Sequence, residues 1–253
     1  MQPTSLGDTL AAQPFALAMS SAFFGFFAHA GMLAALDDAG LAPARFSGSS
    51  AGAMIAGLAA SGTSPAAIAE ELLGLRRADF WDPQPGLGLL RGELFRARIA
   101  RLASAATLEA CPRPVALSVF DLSARRTTVI TTGDLATAIT ASCSFPMLLH
   151  PVRRDGRLLS DGGIADRPGI AGLADQPPTE LRLYHPVTAG QTRGTPLGRF
   201  LRVPPRPGTI TVRIPGLPRV HPFALDAGRA AFAYARAAVG RALVAPATAF
   251  VEP

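Results

Sequence analysis

Ser50 is the residue of this chain best placed for covalent chemistry. It is the centre of Gly48-Ser49-Ser50-Ala51-Gly52, a G-x-S-x-G between a run that reads as a strand (44–48) and one that reads as a helix (51–62). A sharp strand-to-helix turn holds such a serine in a strained backbone conformation, and Gly48 and Gly52 let neighbouring backbone pass closely. The helix N-terminus then offers backbone N–H groups where an oxyanion forms on attack at a carbonyl. The spacing therefore predicts a nucleophile. Read blandly, the same residues are a glycine–serine turn without chemistry.

A nucleophilic serine needs a base. Chain order allows a Ser-Asp-His triad, as Ser50–Asp161–His185 or Ser50–Asp161–His221. An ordinary α/β-hydrolase, however, reaches its nucleophile after several strands. Only 49 residues precede Ser50, room for one strand–turn–helix unit. His185 and His221 each precede a proline in a Pro/Arg-rich region and read as packing or surface residues. Asp161 is different. It lies in Ser160-Asp161-Gly162-Gly163, directly after a predicted strand, where a carboxylate beside glycines can approach a serine hydroxyl. An isolated Asp-Gly would be only a turn.

The elements that must position these groups alternate. Strands are predicted near 15–20, 44–48, 114–122, 126–133 and 157–163, with helices ending at Gly40 and spanning 51–62, 64–75, 91–104 and 134–144. Ser64 is a candidate N-cap, with Pro65 in the first turn. This alternation predicts an α/β domain with a largely parallel sheet. Residues 177–222 carry ten prolines and seven arginines, with Glu180 as the only acid, and read as loops around short strands at 181–185 and 208–213. A helix is predicted over 222–243.

Composition narrows the function. With 253 residues, 49% hydrophobic and 17% charged, the chain has enough apolar sequence for a sizeable core and is not disordered. The formal net charge is +6, but all 24 basic residues are Arg in an Ala/Gly/Pro-rich chain, and no zinc finger or basic helix run is present. Nucleic-acid binding is not expected. Cys111 and Cys143 are too few for a disulfide framework or a four-ligand zinc site, and the four histidines lack metal-ligand spacing, so no metal is expected. Residues 14–36 are uncharged and long enough to span a bilayer, yet the first basic residue is Arg45. The soluble reading divides this stretch into a buried strand, a small-residue turn and a helix.

Taken together, Ser50 in GSSAG, Asp161 in SDGGIAD and their separation of 111 positions resemble the patatin-like phospholipase family. AHAGMLAALDDAG (28–40), DFWDPQPGLGLLRG (79–92) and GDLATAITASCSFPMLLHPVRRDGRLLSDGG (133–163) extend the resemblance over roughly 15–170, while 171–253 match weakly. The resemblance implies a three-layer α/β/α fold with a mainly parallel central sheet, in one domain over 1–253. It implies a lipid acyl hydrolase that uses no cofactor, with Ser50 as nucleophile and Asp161 as general base. Gly162 and Gly163 complete the D-G-G motif. Ser21, Ala22, Phe23 and Ala51 fall at the oxyanion and substrate-binding positions.

One departure stands out. The family's oxyanion loop is a glycine run followed by a basic residue, whereas this chain has Ser20-Ser21-Ala22-Phe23-Phe24-Gly25. A non-glycine residue forced to positive φ there costs ~1 kcal/mol or more. The competing expectation is an impaired patatin-like protein that binds lipid or a partner. The arginines of 177–222, interleaved with Phe200, Leu201, Val203, Ile214 and Leu217, are read as a peripheral contact with anionic membrane. With no leader visible, the expected location is cytoplasmic or peripherally membrane-bound.

Overall fold

The structure, a computed structural model, describes residues 4–174, 181–187 and 208–251. The uncharged stretch 14–36 divides as expected. β1 (Phe15–Met19) is buried along its whole length, and α2 (Phe26–Asp38) follows after a turn. From Phe26 to Leu36 every residue of α2 is buried, because other helices pack on it from several sides, the long C-terminal helix α7 (Ala227–Val244) most extensively. An element enclosed on all sides reads in sequence as a continuous apolar run. No described helix is long and apolar enough to cross a membrane.

β2 (Arg45–Ser49) pairs parallel to β1 and leads directly into α3 (Ala51–Ala60). Ser64 then caps α4 (Pro65–Leu73) by accepting the Ala67 N–H at 3.2 Å, with Pro65 in the first turn. After α5 (Glu93–Leu102) come β4 (Val115–Asp121), the antiparallel β5 (Arg126–Ile130) and α6 (Leu135–Ser142), which Asp134 caps. β7 (Val152–Arg154) and β8 (Arg157–Asp161) form a hairpin, and β9 (Leu181–His185), β10 (Thr209–Val212) and β11 (Phe250–Val251) extend the far side.

The resulting sheet is nine-stranded, in the order β11-β10-β9-β1-β2-β4-β8-β7, with β5 also on β4. All pairs from β11 to β4 are parallel, and the antiparallel pairs gather around β4 and β8. Side-chain alternation divides β1 between two faces. Phe15, Leu17 and Met19 join the main core with the helices, whereas Ala16 and Ala18, with Tyr184 of β9, meet Ile170 and Leu173 of the segment after Asp161.

Several short elements are absent from the sequence reading. They include α1 (Leu6–Ala11) and a separate parallel ribbon of β3 (Gly88–Leu90) and β6 (Met147–Leu149). The predicted helix over 222–243 begins only at Ala227. About half of the arginine-rich stretch lies outside the described residues, including Arg199, Phe200, Leu201, Arg202, Val203 and Arg206. Two of its apolar residues need correction: Ile214 and Leu217 are 1% and 8% exposed members of the core, so they cannot dip into a bilayer.

Candidate active site

Strand register brings Ser50 and Asp161 together. β2 ends at Ser49, opposite Ser118 of β4, while β8 ends at Asp161, opposite the next residue, Val119. β5 occupies the other edge of β4, so β2 and β8 share one edge and meet there end to end. The Ser50 hydroxyl donates to Asp161 Oδ2 at 2.6 Å, and the Gly163 N–H donates to Oδ1 at 2.7 Å.

Ser50 itself is strained, with φ 53° and ψ −120°, and is buried at the N-cap of α3. Such backbone persists only where its surroundings over-determine it. The Ser50 N–H donates to Ser142 Oγ at 2.9 Å, the Ser142 hydroxyl donates to the Ser118 carbonyl at 2.7 Å, and Cys143 Sγ donates to the Ser50 carbonyl at 3.2 Å. Asp161 is held from the same side: its N–H donates to the Ser144 carbonyl, which also accepts the Ser160 hydroxyl. Ser142 and Ser144, at the end of α6, were invisible as positioning residues in the sequence.

Asp161 is 2% exposed. Burial pushes its carboxyl up from about 3.8 to about 6; the hydrogen bonds from Ser50 and Gly163 and the charge of Arg167 oppose the rise. A carboxylate poised near neutrality and in contact with a hydroxyl suits proton abstraction.

The loop after β1 departs from expectation in one respect. The Ser21 N–H donates to the Arg167 carbonyl at 2.8 Å, so it is not free for an oxyanion. The N–H groups of Ala22, Phe23 and Ala51 donate to no described residue. Phe23 has φ 42°, the positive value that glycine would adopt without cost. Gly48 and Gly52 face each other across the turn, where a β-carbon on Gly48 would overlap the Gly52 carbonyl.

Two buried histidines brace this loop. His29 of α2 and His185 of β9 approach Nδ1 to Nδ1 at 3.0 Å, and His29 Nε2 lies 2.9 Å from the Ser20 carbonyl. A carbonyl only accepts, so Nε2 of neutral His29 carries its proton and its Nδ1 accepts from His185. The Ser20 N–H donates to the His185 carbonyl at 3.3 Å, and Ser20 Oγ accepts the Val187 N–H. Burial lowers His29 to about 4 and His185 well below its ordinary value, with His29 adding to the latter shift. Folded, both rings thus bind fewer protons than unfolded below about pH 6.5, and stability falls on acidification through that window. Asp161 acts oppositely between 3.8 and about 6, one group against two. The urea midpoint is expected to be lower at pH 5 than at pH 7; a higher midpoint at pH 5 would mean that the carboxyl outweighs the pair.

Ser50 and Ala51 open onto an apolar cavity of about 100 Å³, with Phe24, Met54, Leu72 and Ile99 among its walls. At one point the lining is polar, where Arg98 pairs with Glu71 and, at 3.1 Å, with Asp79 outside the lining. A strained serine on a buried carboxylate, beside free N–H groups and an apolar slot, has the parts for transfer of an acyl group.

Comparison with known proteins gives the family. The sequence model of the patatin-like phospholipase family matches residues 17–174, and the chain belongs to that family. It is 33% identical over 162 residues to uncharacterized NTE family proteins of Mycobacterium bovis and Mycobacterium tuberculosis, a match covering 63% of this chain and 45% of each relative. The matched region is thus less than half the length of those relatives. VipD of Legionella pneumophila shares the fold with a TM-score of 0.53 at 15% identity, over 80% of this chain and 50% of that one. ExoU of Pseudomonas aeruginosa, in its complex with SpcU, gives 0.50 at 18% identity, over 91% and 51%.

Proposed function

We propose that this chain is a lipid acyl hydrolase working through Ser50 and Asp161. The observation that carries the reading is the 2.6 Å hydrogen bond from the strained Ser50 hydroxyl to a buried carboxylate raised towards neutrality. Ser50 Oγ attacks the ester carbonyl as its proton passes to Asp161 Oδ2. The N–H groups of Ala51 and of the Ala22–Phe23 turn hold the oxyanion, and the acyl chain occupies the apolar cavity. As the intermediate collapses, Asp161 returns the proton to the departing alcohol, leaving an acyl-serine. Water, deprotonated by Asp161, then releases the fatty acid and restores Ser50. No step calls on a metal or organic cofactor.

The competing reading, a non-catalytic lipid binder, draws on the missing glycine run. The free N–H groups at 22, 23 and 51 speak for the enzyme. A fluorophosphonate probe tests the choice, since it forms a bond only with an activated serine. Intact-mass analysis should find one adduct, on Ser50, lost in Ser50→Ala together with p-nitrophenyl butyrate turnover. No adduct and equal ester rates in both proteins would establish the binder.

A further inference from the structure

We propose that the β3–β6 ribbon at the rim of the acyl cavity is the surface that enters the lipid interface; this rests on the lipid-hydrolase reading above. The depth of the cavity is buried, with Leu72 and Ile99 at 2% exposure and Leu90 at 1%. Phe23 and Phe145, which also line it, are 44% and 47% exposed, and their rings meet edge to face at 5.4 Å. The mouth therefore lies at these two phenylalanines.

Beside them runs the ribbon, with Gly88 opposite Met147 and Leu90 opposite Leu149. Leu90 and Leu149 turn into the cavity. Leu87, Leu89 and Met147 are 69%, 50% and 85% exposed. The ribbon and its flank thus offer apolar side chains both to the cavity and to solvent. Single exposed leucines are ordinary on a protein surface, but a group continuous with a cavity mouth marks an interaction site.

Met147 is carried out to solvent by a turn in which the Leu148 and Leu149 N–H groups both donate to the Phe145 carbonyl at 3.0 Å, so the turn holds it beside the mouth without covering it. The occupant follows from continuity with the cavity: a long-chain acyl ester resides in a lipid layer, and apolar side chains ringing the mouth place Ser50 where such a chain can leave that layer without crossing water. The proposed contact draws on apolar side chains rather than on charge.

The test is flotation with phosphatidylcholine vesicles, which carry no net charge. The triple variant Leu87→Ser, Leu89→Thr, Met147→Asn removes the exposed side chains without touching the cavity lining, and Asn tolerates the positive φ of Met147. It should bind vesicles at least tenfold more weakly than wild type, with wild-type binding insensitive to salt and p-nitrophenyl butyrate hydrolysis unchanged. Val244→Ser removes an equally bare apolar residue, 80% exposed, at the end of α7 that leads towards β11, and should bind as wild type does. Equal vesicle binding by the triple variant and wild type would overturn the proposal. So would a wild type that ignores vesicles and dimerises through this ribbon. Loss of the hydrolase reading shows separately, as no turnover of the soluble ester by a protein that still floats.

Discussion

Asp161→Asn is expected to lower ester hydrolysis by ~10³–10⁴-fold while leaving the protein at least as stable as before. The two side chains have nearly the same shape, and Asn can still accept the Gly163 N–H that Oδ1 receives at 2.7 Å. What it cannot do is take the Ser50 proton. The wild-type rate should rise with pH and level off above an apparent pKa near 6, because only the ionised carboxylate is a base. The stability effect has the opposite sign. Between 3.8 and about 6 the folded state binds more protons than the unfolded chain, so stability falls as pH rises through that window. At neutral pH the buried charge costs on the order of 1–3 kcal/mol, which a neutral Asn relieves. Activity and thermal melting measured at pH 7.5 should therefore move apart. A variant that keeps its rate, or one that loses rate and stability together, would remove Asp161 from the role of base.

Why Ser50 and Asp161 were legible, while their supports were not, follows from where each signal resides. G-x-S-x-G is a local requirement of one turn, written in five adjacent residues. Asp161 ends a short strand whose last residues announce the turn after it. The hydrogen bond between them depends on register along β4, where Ser118 and Val119 are paired by two different strands. Nothing near Ser118 in sequence records that. Ser142 and Ser144 look like ordinary small residues at a helix end, and they matter only because α6 ends against the elbow. His29 and His185 have no common motif, since α2 and β9 meet only through the fold. His185 was expected as a packing or surface residue; its full burial selects the first, and neither gave a sign of its partner. β3 and β6 escaped notice because a three-residue strand has too little pattern to read and exists only through its distant mate. The Ser21 N–H was expected at the oxyanion because the loop's position suggested it, and the Arg167 carbonyl that claims it comes from beyond the D-G-G motif.

Gly52→Ala is expected to destabilise the protein by ~1–3 kcal/mol and to slow hydrolysis by ~10²–10³-fold. Helix propensity alone argues the reverse: Gly52 sits in the first turn of α3, where Ala is favoured by up to ~1 kcal/mol. Sterics decide the outcome. A β-carbon there would overlap the Met19 carbonyl and crowd that of Ser20, and both are backbone, with no side chain to swing aside. The end of β1 would have to move, carrying with it the loop that presents the Ala22 and Phe23 N–H groups. An ångström of displacement misaims those donors while the Ser50–Asp161 contact stays intact. Turnover should therefore suffer well beyond what lost stability explains at a temperature where the variant remains folded. Gly240 separates the two causes. It lies exposed within α7, and nothing stands within 4 Å of where its β-carbon would be. Gly240→Ala should stabilise by ~0.5–1 kcal/mol and leave turnover unchanged. If both glycines respond to alanine with the same gain, close backbone approach is not what Gly52 provides, and the loop after β1 does not depend on it.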